Sequence, residues 1–212
     1  MSINWKDFIL RSLASIIGIT FISFGAALSE SMDMGLDPFT ALNKGASSLL
    51  GFSLGNYQLG LNLIILAIVF FLKRSLIGWG TIYNMILIGY QVSFFGDLFK
   101  NFFNIGEINL AIRLIIAVVA IMIFTLGVAL YMDTKLGVSP YDAITPVITD
   151  RTGWNYTPVR VGQDLFIVLG AYLLAGPVGI STIITGFFAG PLISFFSKKI
   201  SQPLIEKLGK LS

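Results

Sequence analysis

The residues able to do chemistry in this chain are few and sit in awkward places. Residues 35–42 read "GLDPFTAL", which sets the carboxylate of Asp37 against Pro38 and Phe39 in sequence otherwise greasy enough for a membrane. The pattern returns 102 residues later as "GVSPYDAI", residues 137–144, with Ser139, Pro140, Tyr141 and Asp142. Proline suits the first position of a helix, and Asp or Ser just before it caps the exposed N–H groups. Each copy therefore starts a short helix, about 38–50 and 140–149, stopped by Gly51 and Gly153. A dozen or so residues are too few to cross a bilayer. The expectation is a re-entrant or interfacial half-helix, entered through the permissive backbone of Gly35 and Gly137. Its N-terminus offers N–H groups and a positive dipole end to an anion or zwitterion, while the carboxylates suit a cationic group or a proton. The plainer alternative is a pair of surface turns in which Asp37 and Ser139 only cap.

A second constellation lies further along each copy. Asn62 and Asp164 occupy equivalent positions, as do Gln58 and Arg160. Arg160 and Asp164 are four apart, a spacing that puts them on one helix face and suits an ion pair. Ionisable groups inside a span are costly enough to suggest function; the alternative is an interfacial position with Arg160 snorkelling. Asp164 is the one carboxylate placed within a span, so it ranks first as a ligand. Asn84 and Gln91, two turns apart, either bond neighbouring helices or touch a solute. Gly186 and Gly190 form GxxxG, and Gly78, Gly80, Gly89 and Gly96 keep another helix thin; both sets point to close helix packing. "GLG" and "GWG" are no phosphate loops, since no GxxxxGK[ST] follows a strand.

What is missing narrows the chemistry further. There is no histidine and no cysteine, which removes disulfides, thiol nucleophiles, imidazole bases and Cys/His metal sites. No dense carboxylate cluster offers a metal site either. The expectation is a protein that is not an enzyme, with no metal and no cofactor.

The elements that must hold these residues are membrane helices. Of 212 residues 55% are hydrophobic and 12% charged, with mean hydropathy +0.85; a soluble domain carries about 25% charged residues. Six apolar segments, about 9–29, 56–72, 76–96, 112–132, 158–176 and 177–197, approach or reach the length needed to span roughly 30 Å of hydrocarbon. A β-barrel would need alternating strands instead. The first segment is too long for the apolar core of a signal peptide, and its counterpart lies mid-chain.

The chain is also written twice. "GAAL" (25–28) matches "GVAL" (127–130), and Gly51, Phe52 and Gly60 match Gly153, Trp154 and Gly162, all 102 apart. Then "GWGTIYNMILIGYQVSFF" (78–95) matches "GISTIITGFFAGPLISFF" (179–196) at seven of 18 positions. Ordered polar and glycine matches at a near-constant offset mark a duplication. Three spans per copy is an odd number, so the copies must cross in opposite directions. With both termini cytoplasmic, eleven Lys/Arg fall inside and three outside, as the positive-inside rule requires. The expected fold is all-α: six transmembrane helices as two inverted three-helix repeats, each with a short half-helix. It is one membrane domain over residues 1–212: repeat 1 about 9–99, repeat 2 about 112–199, and a basic cytoplasmic tail about 198–212 along the membrane surface. The small net charge of +3 sits beside the spans and fits membrane orientation, not nucleic-acid binding.

At "GAAL", "GLDPF" and "GASSLLGFSLG" the chain resembles the YitT/YczE-type family of bacterial integral membrane proteins, over nearly its whole length. The resemblance implies a bacterial inner-membrane location and no particular chemistry. The leading functional expectation is a small transporter or exporter of a polar or charged solute. Its central site would be built from Gly35, Asp37, Pro38, Phe39, Asn62, Gly137, Ser139, Pro140, Tyr141, Asp142, Arg160 and Asp164. Expected partners are the lipid bilayer and a small-molecule solute, with a homodimer left open. Two alternatives stand beside it: a substrate-capturing subunit of a larger transporter, and a non-transporting helper with dry, apolar packing around both half-helices.

Overall fold

The computed structural model describes residues 4–210; the first three and last two residues of the expected single domain lie outside the described residues. The described chain is all-helical. In order come α1 (Trp5–Ser31), α2 (Pro38–Leu50), α3 (Leu54–Lys73), α4 (Trp79–Phe102), α5 (Leu110–Asp133), α6 (Pro140–Thr152), α7 (Tyr156–Leu173), α8 (Ile180–Phe196) and α9 (Gln202–Lys210). Four helical stretches are long and apolar enough to cross a membrane: Trp5–Ser31, Leu54–Leu76, Leu110–Asp133 and Ile180–Gly209. Helices α4 and α7 fall outside that group. Both carry polar groups that are buried against protein, among them Asn84 on α4 and Asp164 on α7.

The cap chemistry behaves as expected. Asp37 accepts the Thr40 N–H at 3.2 Å and Ser139 Oγ accepts the Asp142 N–H at 3.0 Å, each with proline at the first helical position. Gly51 and Gly153, both at φ 72°, end α2 and α6 in the left-handed conformation, and α6 runs on to Thr152. The duplication extends to the backbone: Asp33 and Lys135, 102 apart, share φ values of 59° and 57°.

Helices α1 and α5 form the centre and run antiparallel. Gly18 and Gly127 bring their backbones into contact; a Cβ on Gly18 would lie 2.8 Å from the Gly127 carbonyl oxygen. Each end of the pair is closed by an arginine. Arg11 on α1 donates to the Thr134 carbonyl at 3.3 Å, and Arg113 on α5 donates to the Met32 carbonyl at 2.8 Å. Arg11 and Arg113 are 102 apart, as are Met32 and Thr134, so the two contacts are reciprocal. A cation at a helix C-terminus meets its orphan carbonyls and its negative dipole end.

The loops before α2 and α6 dock in the same reciprocal way. Gly80 N–H donates to Leu136 at 2.7 Å and Val138 N–H to Leu76 at 3.1 Å; Ser181 N–H donates to Met34 at 2.8 Å and Leu36 N–H to Pro177 at 3.0 Å. Each loop of one copy thus binds the start of the last long helix of the other. Gly35 (φ 88°) and Gly137 (φ 106°) sit at these docks, where a Cβ would come within 2.4 Å of Gly179 N and 2.5 Å of Gly78 N. The basic tail continues α8 through a π-turn at Ser197–Ser201 and folds onto α1 and α5, with Ile205 packed among Ala14, Leu130 and Leu208.

Candidate functional site

The N-termini of α2 and α6 meet. Phe39 and Tyr141, the second residues of the two helices, stack with ring centroids 4.4 Å apart and planes 13° from parallel. Both are buried, at 9% and 5% exposure. Beside the stack lies a cavity of about 590 Å³, within the size range of small-molecule sites. Most of its wall is apolar, from residues such as Ile22, Ile88, Phe124, Val128 and Phe187. Both sequence copies contribute: Asp37 and Ser139, Gln58 and Arg160, and Asn84 and Thr185 are equivalent pairs that all face it.

A charge network occupies one side. Arg160 donates to Asp142 Oδ1 at 2.7 Å and to Asp164 Oδ2 at 3.1 Å. Its guanidinium lies over the Tyr141 ring, 5.0 Å from the centroid, and the Tyr141 hydroxyl donates to Asp164 Oδ1. Ser139 Oγ donates to Asp142 Oδ2 at 2.6 Å. Gln163 ties α7 to α6, donating to the Tyr141 carbonyl at 3.1 Å and accepting from Thr145 at 2.7 Å. The i,i+4 spacing of Arg160 and Asp164 therefore does form an ion pair, and Asp142 from the first turn of α6 joins it.

Asp37 differs. Its Oδ2 takes the Thr40 N–H, its Oδ1 is buried with no donor, and no ion pair reaches it among the described residues. Both oxygens of Asp164, ranked first from sequence, are already engaged. Among the three carboxylates expected at the site, Asp37 keeps the free acceptor.

Eight of the twelve residues expected at the site line the cavity: Asp37, Pro38, Phe39, Ser139, Tyr141, Asp142, Arg160 and Asp164. Gly35 and Gly137 serve the loop docks instead, and Pro140 is fully buried and does not line the cavity. Asn62 is 2% exposed on α3, away from the cavity wall. Gln91 bonds a neighbouring helix, donating to Thr20 at 3.3 Å. The GxxxG pair is a correction. A Cβ on Gly186 would meet only Pro38 at 3.6 Å, one on Gly190 would meet nothing within 4 Å, and both glycines line the cavity. Their lack of side chains makes room inside the site, whereas Gly78 and Gly89 do pack closely.

Sequence reasoning missed Tyr131 and Asp133, which face the cavity from the last turn of α5. Tyr131 is fully buried with its hydroxyl unpartnered, and Asp133 keeps one buried oxygen unpartnered while the other accepts from Ser197 at 3.0 Å. The run "LYMD" at the end of an apolar span was the available signal, since it places a phenol and a carboxylate within one turn.

Helices long and apolar enough to cross a membrane define the class: an integral membrane protein. The chain belongs to DUF6198, a family of unknown function, whose pattern matches residues 9–198. It is 27% identical over 191 residues to the uncharacterized membrane protein YczE of Bacillus subtilis (strain 168), covering 90% of this chain and 86% of that one. It is 29% identical over 195 residues to the uncharacterized protein YyaS of the same organism, covering 90% and 94%. An uncharacterized protein of Haemophilus influenzae is 26% identical over 187 residues, covering 88% and 83%. The YczE-like resemblance is borne out. No solved structure matches the chain.

Proposed function

We propose that this protein is a small transporter of the bacterial inner membrane that carries a polar or charged organic solute through the cavity between α2 and α6. The observation that carries the reading is the meeting of two half-helix N-termini, one from each sequence copy, at a buried cavity that holds charged groups. Transporter folds use such broken helices to build a midplane site, and irregular backbone at that depth persists only inside protein or beside a cavity. We take all six long helices, α1, α3, α4, α5, α7 and α8, as spans. The two copies then form inverted repeats about an axis across α1 and α5. Reciprocal docking favours this arrangement: if loop A binds helix B while loop B binds helix A, the copies are related by a two-fold and not by a translation. The arginine pair supports it, since its two members cap opposite ends of an antiparallel pair. Both termini lie on the cytoplasmic side in this reading.

The cavity is lopsided. It extends along the final turns of α5 and α8, past Asp133 to Ser197, as a state open towards one face would. A helper with dry packing around the half-helices fits poorly with buried unpartnered acceptors there. The chain lacks cysteine, so a single cysteine at Thr185 reports access to the cavity directly. In oriented vesicles, alternating access makes Thr185→Cys reactive to an impermeant maleimide from either face. Labelling from one face alone refutes transport and leaves a receptor or helper role.

A further inference from the structure

We propose, resting on that same cavity being a solute site, that its occupant is an organic cation: an ammonium, amidinium or phosphonium-like group on an apolar, drug-sized body, with Asp37 as its counter-ion. Four carboxylates line the cavity, Asp37, Asp133, Asp142 and Asp164, against the single guanidinium of Arg160. That guanidinium is committed to Asp142 and Asp164. Asp37 and Asp133 each keep a buried oxygen with no hydrogen-bond partner. Of the two, Asp37 stands where the helix N-termini meet, next to the Phe39 ring. A buried unpaired charge is costly enough to demand a partner.

The other unmet groups point the same way. Tyr131, 0% exposed, and Gln58, 3% exposed, face the cavity with an unpartnered phenol oxygen and an unpartnered amide oxygen. Each accepts hydrogen bonds, and the phenol can also donate one; with the free oxygens of Asp37 and Asp133, the oxygens left unmet at the site are mostly acceptors. An anion would find little to bind, because both helix N-termini already carry a carboxylate of their own, Asp37 on α2 and Asp142 on α6. The Phe39 ring adds an aromatic surface that attracts cations, and Arg160 already uses the face of Tyr141 in that way. A bare ion would fill a small part of about 590 Å³, and the apolar wall gains nothing from it. An apolar body bearing one positive charge meets both surfaces.

The test uses two ions of the same shape and opposite charge, tetraphenylphosphonium and tetraphenylborate, titrated by equilibrium dialysis into the purified full-length protein in neutral detergent micelles. The expected result is phosphonium binding at least tenfold tighter than borate binding. Asp37→Asn should weaken the phosphonium at least tenfold and leave the borate unchanged or slightly tighter. Asp37→Ser should do the same; it is the second variant because serine caps the equivalent helix at position 139 and keeps the fold. Equal binding of the two ions, or phosphonium affinity indifferent to both Asp37 variants, overturns the proposal. Phosphonium binding through Asp37 together with one-sided labelling of Thr185→Cys upholds this inference and sinks transport. Two-sided labelling with no charge preference does the reverse.

Discussion

Arg160 holds two carboxylates that no other cation reaches among the described residues, so its removal has a calculable cost. Replacing it by methionine keeps an unbranched apolar stem and deletes the charge. Breaking a buried pair by removing one partner costs about 3–5 kcal/mol, whereas an exposed pair is worth about 0–1 kcal/mol. The side chain of Asp164 is 8% exposed, placing its pair near the buried limit; Asp142 at 23% and Arg160 at 28% lie part-way towards the exposed one. Weighting the two contacts accordingly gives about 3 kcal/mol for Arg160→Met. Most of that is the penalty of leaving two carboxylates unpaired. Adding Asp142→Asn and Asp164→Asn should therefore recover about 2 kcal/mol, because neutral amides are far cheaper to bury. Reversible unfolding in mixed detergent micelles, followed by helical circular dichroism, reads both numbers. A triple variant no more stable than Arg160→Met would refute the reasoning, and so would a single variant within about 0.5 kcal/mol of the parent.

Gly35→Ala faces both a disfavoured φ and backbone at 2.4 Å, so it should destabilise by about 3 kcal/mol. Gly51→Ala shares the positive φ but meets open space, so the same unfolding assay should show about 1 kcal/mol. Arg11→Gln and Arg113→Gln should each cost about 1–2 kcal/mol, by similar amounts and additively in the double variant; a large cost at one and none at the other would undo the proposed two-fold. Cysteines at Ser75 and Glu206 should label from one face of the membrane and a cysteine at Asn104 from the other. Labelling of Ser75→Cys and Asn104→Cys from the same face rules out α4 as a span.

Features set by neighbours along the chain were legible in the sequence alone. Asp37 before Pro38 and Ser139 before Pro140 cap helices because cap geometry involves only three or four consecutive residues. Arg160 and Asp164 pair because helical pitch puts residues four apart on one face. The duplication, the membrane class and the starts of α2 and α6 follow from periodicity, offset and cap residues. What residues of one type do, however, depends on the segment that packs against them. Gly186 and Gly190 read as a packing motif, yet they open space in the cavity, and no spacing rule separates those roles. Asp37 and Asp164 are both carboxylates in apolar sequence; only the approach of α6 to α7 engages one and leaves the other with a free oxygen. Tyr131 enters the site because α5 lies antiparallel to α1 and brings its last residues to the cavity beside α2 and α6. Local bonding is written in adjacent residues, while burial, pairing and the cavity itself arise from contacts between separate helices, which tertiary packing alone decides.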